Sequence, residues 1–248
     1  MSVSVNTMSD RDKELSLVQH LGEFRDRLMV ASIAVVVTTA ISFVFTTEII
    51  KLLILPVGEG IKLSSFNPTE NFATYMRVAL FSGIALAMPV ILYEIYAYID
   101  PALHANERRF ALTLGPFILL LFVGGMLFCY FFVLPNALKF LINFASDVFE
   151  NQLRASEYLS FVTTFILGMG IVFEMPVLIF ALIKVGVVRH SWLAKQRRYV
   201  VVVVLIVAAI VTPTPDPFNQ LLVAIPMYLL FEIGLFLGRF GGGRRAAS

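Results

Sequence analysis

LMVASIAVVVTTAISFVFTT, residues 28–47, is a run of twenty residues without one charged side chain. As an α-helix rising ~1.5 Å per residue it is ~30 Å long, the thickness of a bilayer's hydrocarbon core. No water is available there to pair backbone N–H and C=O groups, and a helix pairs them within the segment. Residues 73–98, 110–134 and 159–187 form similar apolar runs, followed by 199–211 and 218–237. The fifth run is short, and Pro213, Pro215 and Pro217 prevent its extension. It spans roughly two-thirds of an average bilayer, so either the bilayer thins around it or polar flanks extend into the membrane.

The composition agrees. Of 248 residues, 58% are hydrophobic and 15% charged, with a mean hydropathy of +0.85. A soluble domain is about half apolar and about a quarter charged, so the surplus apolar surface faces something other than water. A single cysteine, Cys129, excludes a disulfide within the chain and a cysteine-based zinc site. His20, His104 and His190 lack metal-ligand spacing, and no G-x-x-x-x-G-K-[S/T] phosphate loop occurs. No cofactor and no nucleic-acid partner are expected. Residues 1–27 are polar and mixed in charge, unlike a cleavable signal peptide.

Six spans return both termini to one side. With the N-terminus inside, fourteen of the nineteen Lys and Arg residues lie in inner segments; the outer five are Lys51, Lys62, Arg77, Lys139 and Arg154. The cytoplasmic excess of positive charge predicts an N-in, C-in protein of the cell inner membrane. The longest loops, around 49–72 and 135–158, are outer ones, and none is long enough for a soluble domain. The expected fold is all-α: one polytopic integral-membrane domain with a tail over 1–27, a six-span bundle over 28–237 and a cytoplasmic tail over 238–248. Its two C-terminal spans are expected to be short, leaving the bundle concave.

Charges in or near the apolar runs are the candidate functional groups. Glu174 falls mid-span, where a carboxylate costs ~2.5–3.5 kcal/mol on insertion scales. It serves a function or holds the bundle together through a neighbouring helix; Pro176 also frees a backbone carbonyl nearby. Glu94, Glu232 and Arg77 lie near span ends and read as anchors or intrabundle partners. In the tail, Leu17, Leu21, Phe24 and Leu28 recur at helical spacing, predicting an amphipathic helix lying on the cytoplasmic interface and leading into the first span. His20, Glu23 and Arg27 share its other face, and Glu23 precedes Arg27 by four residues, the favoured order for an ion pair. Glu107 falls in the first turn of the third span. There it either complements the helix dipole or offers an anion to a basic ligand.

Several separated stretches, in order along nearly the whole chain, resemble the TatC family. They are HLGEFRDRL (20–28), PTENF (68–72), MPVILY (88–93), PALHANERR (101–109), FEMP (173–176), TPTPD (212–216) and IPMYLLFEIG (225–234). The 212–216 stretch carries an extra Thr-Pro relative to the compact family form. The resemblance implies a receptor for twin-arginine signal peptides. Such a receptor assembles with single-span partners of the TatA and TatB type, self-associates, and exports folded proteins on the proton-motive force. It also implies that Glu23 and Glu107 receive the arginine pair, with Arg25, His20, Leu21, Pro89, Pro101 and Leu103 shaping the site. Partner-helix contact is implied at Glu174, Pro176, Phe72, Asp216 and Met227.

The chemistry suits the acids, because a guanidinium is always charged and binds carboxylate bidentately, whereas Lys presents a point charge. A transporter or channel for a small solute is the alternative. It accounts for six spans and a buried Glu but not for the amphipathic tail or the acidic cytoplasmic loop, and no internal repeat is present. Intramembrane hydrolysis lacks a second mid-depth carboxylate or a nucleophile–base pair, so no enzymatic activity is expected.

Overall fold

The computed structural model describes residues 10–58, 63–99, 105–144, 153–212 and 216–241; the side chains of 10–19, 99, 105–114, 185 and 240 lie outside the described set. The described residues form helices α1 (Asp10–Ile54), α2 (Pro68–Ile99), α3 (Ala105–Phe128), α4 (Leu134–Asn143), α5 (Ala155–Phe173), α6 (Met175–Val185), α7 (His190–Lys195), α8 (Arg197–Val211) and α9 (Pro217–Gly241). A parallel bridge between Ser64 and Arg154 is the one β-type pairing among them. The expected all-α polytopic class holds. Five helical stretches are long and apolar enough to cross a membrane. At 15 residues, α8 is ~22 Å long, the short span anticipated from the prolines that follow it.

Four boundaries differ from expectation, each for a local reason. The tail helix and the first span are one 45-residue helix, because nothing between Asp10 and Ile54 stops it; the tail therefore does not form a separate helix lying on the interface. The third span does not end at Leu134: a π-helical turn at Cys129–Val133 leads into α4, whose first turn tolerates Pro135. The fourth span is broken at Glu174, with Pro176 at the start of α6. The last span is not short, since α9 has 25 residues and continues through Gly238 and Arg239. The C-terminal pair is thus one short helix and one of full length.

Lipid tails are as apolar as leucine, so helices associate in a bilayer by close packing and hydrogen bonds rather than by escape from water. The crossing of α1 and α2 illustrates this. A Cβ on Gly83 would lie 2.6 Å from the Thr39 Cα, so only glycine permits this approach, and Thr38 Oγ1 donates to the Gly83 carbonyl at 2.7 Å. Gly125 and Gly170 play the same part between α3 and α5, where an added Cβ would meet the Met169 carbonyl or the Phe122 ring at 2.7 Å. The main core gathers Val133, Val162, Phe165, Met169, Val223 and Met227, and a second cluster of Ile179, Ile183, Phe231 and Leu235 joins α6 to α9.

At the C-terminal end of α1, Tyr130 and Tyr158 donate to the Leu52 and Leu53 carbonyls at 2.8 and 2.7 Å, satisfying groups that a helix terminus leaves unpaired. Short α8 is held to α9 by Gln220 Nε2, which donates to the Leu205 carbonyl at 3.0 Å.

Candidate functional site

From the Gly83–Thr39 crossing, α1 and α2 run side by side toward the N-terminal part of α1 and the C-terminal end of α2. There His20 stacks on Tyr98 with ring centroids 4.5 Å apart, and Phe24 meets the same ring edge-on at 5.6 Å. One turn further along α1, Arg27 donates from Nε and Nη2 to Glu23 Oε1 at 3.0 and 2.7 Å. Its Nη1 reaches Glu94 Oε2 on α2 at 3.2 Å. The three side chains are half-buried, Glu94 most deeply. Beside them opens a cleft of ≈690 Å³ lined by Gly22, Glu23, Asp26, Arg27, Val30, Tyr93 and Glu94.

The ion pair expected from the Glu23–Arg27 spacing therefore forms, and Glu94 is the intrabundle partner its position suggested. Sequence reasoning missed that both acids share one cation. Arg25 does not touch Glu23; it forms a two-contact pair with its neighbour Asp26, at 3.0 and 2.7 Å, facing solvent. Leu21 is exposed on α1 and Pro89 on α2. The expected residues Pro101 and Leu103 lie outside the described residues. Glu107 falls in the first turn of α3 as anticipated, and its side chain lies outside the described set.

The candidate partner-contact residues fall in different environments. Glu174 occupies the break between α5 and α6 and is 6% exposed; its Oε1 has no hydrogen-bond partner among the described residues. Pro176 is buried next to it, while Ile171 and Leu178, about one turn to either side, are 51% and 59% exposed. Met227 is buried in the main core rather than on a surface. Phe72 is exposed in the first turns of α2. Asp216 caps α9, accepting from the Asn219 backbone N–H at 2.7 Å and from its Nδ2 at 2.9 Å. Glu232 is paired with Arg197 at 2.8 Å and accepts from Tyr228 at 3.0 Å. No group of His, Cys, Asp or Glu suited to a metal ion occurs among the described residues.

Known proteins share this architecture. The sequence profile described as TatC, Sec-independent protein translocase protein, matches residues 19–226. The Sec-independent protein translocase protein TatC of Carboxydothermus hydrogenoformans is 36% identical over 230 residues, covering 92% of this chain and 95% of that one. Its counterpart in Aquifex aeolicus is 37% identical over 230 residues, covering 91% and 95%. A crystal structure described as twin arginine translocase receptor TatC is 37% identical, with a TM-score of 0.81, covering 90% of this chain and 99% of that one.

Proposed function

The chain belongs to the TatC family of Sec-independent protein translocase proteins, and from that premise we propose that it is the membrane receptor for twin-arginine signal peptides. The observation that carries this reading is the cleft at Glu23, where a guanidinium already sits on a carboxylate between two helices. A site that holds one guanidinium through charge-assisted, forked hydrogen bonds has the chemistry to hold another. Glu107, at the start of α3 on the same side of the membrane, is the second acid assigned to the arginine pair.

In the same proposal, both termini face the cytoplasm, single-span partners of the TatA and TatB type pack on the membrane face around Glu174, and export of folded cargo draws on the proton-motive force. The exposed pair Ile171 and Leu178 supports such docking, because a helix laid across them covers the break that Glu174 occupies. Site-specific crosslinking from the arginine positions of a signal peptide tests the receptor reading. The Glu23→Gln and Glu107→Gln variants are expected to lose the crosslink; undiminished crosslinking in both sinks the assigned site.

A further inference from the structure

We propose that the cleft between α1 and α2 is a guanidinium subsite with two carboxylate walls, Glu23 and Glu94, which Arg27 fills until an arginine of the signal peptide takes its place. This rests on the receptor reading and adds a ligand residue, Glu94, and a resident occupant, Arg27.

The charge arrangement motivates it. An i,i+4 pair of Glu23 and Arg27 is complete in itself and would stabilise α1 without help from α2. Here Arg27 crowds Nε and Nη2 onto a single oxygen, Glu23 Oε1, and sends Nη1 across to Glu94, 67 positions away. Two carboxylates that converge on one place repel unless a cation lies between them. Asp26, also on the cleft wall, is already paired with Arg25 and does not supply the balance. The result is a site with two acids and one cation of its own, and therefore one negative charge in excess.

The cleft also fits the rest of an arginine side chain. Gly22 leaves room at the wall, Val30 offers apolar surface to the methylenes, and the exposed Tyr93 ring is placed for a guanidinium to stack on. Two carboxylates on different helices suit a planar fork of several donors. A lysine ammonium, a compact point charge, is less suited to bridging them.

Arg27 is attached to the site it fills, so it competes with every incoming peptide at a high effective concentration. Peptide binding is an exchange of one guanidinium for another. The apparent affinity is reduced by the fraction of time the cleft is occupied internally.

The test uses the full-length receptor in detergent and a fluorescent peptide with two consecutive arginines, read by anisotropy. Arg27→Gln is expected to bind the peptide about three- to tenfold more tightly than the unmodified receptor, in line with removing a half-exposed charged competitor. In the Arg27→Gln background, adding Glu94→Gln is expected to weaken binding about tenfold. Arg27→Lys keeps the charge but not the fork and is expected to fall between, tighter than the unmodified receptor; it provides the reading if Arg27→Gln does not fold. Unchanged or weaker binding in the Arg27 variants overturns the resident-ligand role. No effect of Glu94→Gln in that background overturns the second wall. Glu23→Gln, measured in parallel, separates the levels: if it leaves binding intact, the receptor site itself is wrong, whereas if it weakens binding, failure of the Arg27 and Glu94 results removes this inference alone.

Discussion

Arg154 and Glu70 stand 84 positions apart in the chain and meet fork to fork, Nε to Oε1 at 2.8 Å and Nη2 to Oε2 at 2.9 Å. Ser156 donates to the same carboxylate, and the Ser64–Arg154 bridge runs alongside with backbone hydrogen bonds of 2.9 Å. The ion pair fastens the start of α5 to the first turn of α2, the bridge fastens it to the segment before α2, and the Glu70 carboxylate raises the Arg154 guanidinium above its ordinary range. Glu157 also approaches Arg154, but at 3.6 Å and largely in solvent. Glu70→Gln is therefore expected to lower the unfolding temperature of the purified protein and to speed hydrogen exchange at residues 63–66 and 153–156. Glu157→Gln should change neither, because a long, exposed pair contributes little. Equal effects of the two substitutions would show that the forked geometry is not what holds these segments together.

Close approach at Gly83 is expected to be as consequential as any charged contact. Gly83→Ala forces a methyl against the Thr39 backbone, and overpacking of this kind costs about 1–3 kcal/mol. Gly124 on α3 has no atom within 4 Å of an added Cβ, so Gly124→Ala should be neutral or stabilising, given the better helix propensity of alanine. Thermal unfolding in detergent reads both. Because Gly83 sets the crossing that brings Glu94 to Arg27, Gly83→Ala should also weaken binding of a twin-arginine peptide, while Gly124→Ala should not.

The break at Glu174 separates exposed from buried positions on the proposed partner face. Cysteine at Ile171 or Leu178 is expected to crosslink to a cysteine in the span of a single-span partner. Cysteine at Met227, deep in the core, should not. Glu174→Ala is expected to abolish the crosslinks at 171 and 178, with thermal unfolding of the variant in detergent checking that the receptor stays folded. Persistence of both crosslinks in that variant would make Glu174 a structural residue only.

Gln220 and Leu205 supply a smaller test of why a 15-residue helix stays in place. Gln220→Leu removes the hydrogen bond to the Leu205 carbonyl, and interhelical bonds in membranes average about 0.6 kcal/mol. A modest loss of thermal stability is expected, with faster exchange confined to α8. Destabilisation of several kcal/mol would mean that the amide holds more than one helix pair.

The apolar spans were legible because they rest on a one-dimensional signal, unbroken apolar runs. The Glu23–Arg27 pair was legible for the same reason, its spacing being a property of one helix. What sequence did not reveal depends on helix crossings. Glu94 reaches Arg27 across the packing of α1 on α2, to which the Gly83–Thr39 approach contributes, and no local pattern pairs positions 27 and 94. The π-helical turn at Cys129–Val133 was invisible because the residues around it are uniformly apolar, and the apolar run alone placed the end of the third span at residue 134. Pro176 did announce a disturbance near Glu174, and the break there is its consequence. Met227 belonged to a motif stretch whose face could not be assigned from spacing alone, and α9 turns it inward.

The most direct measurement is the equilibrium affinity of the full-length receptor for a twin-arginine peptide and its twin-lysine counterpart, compared with the Glu23→Gln variant. A guanidinium-selective site predicts that the receptor prefers the arginine peptide by about tenfold or more, and that Glu23→Gln lowers arginine affinity toward the lysine value. Equal affinities for the two peptides, or a Glu23→Gln variant that still discriminates between them, would contradict the account.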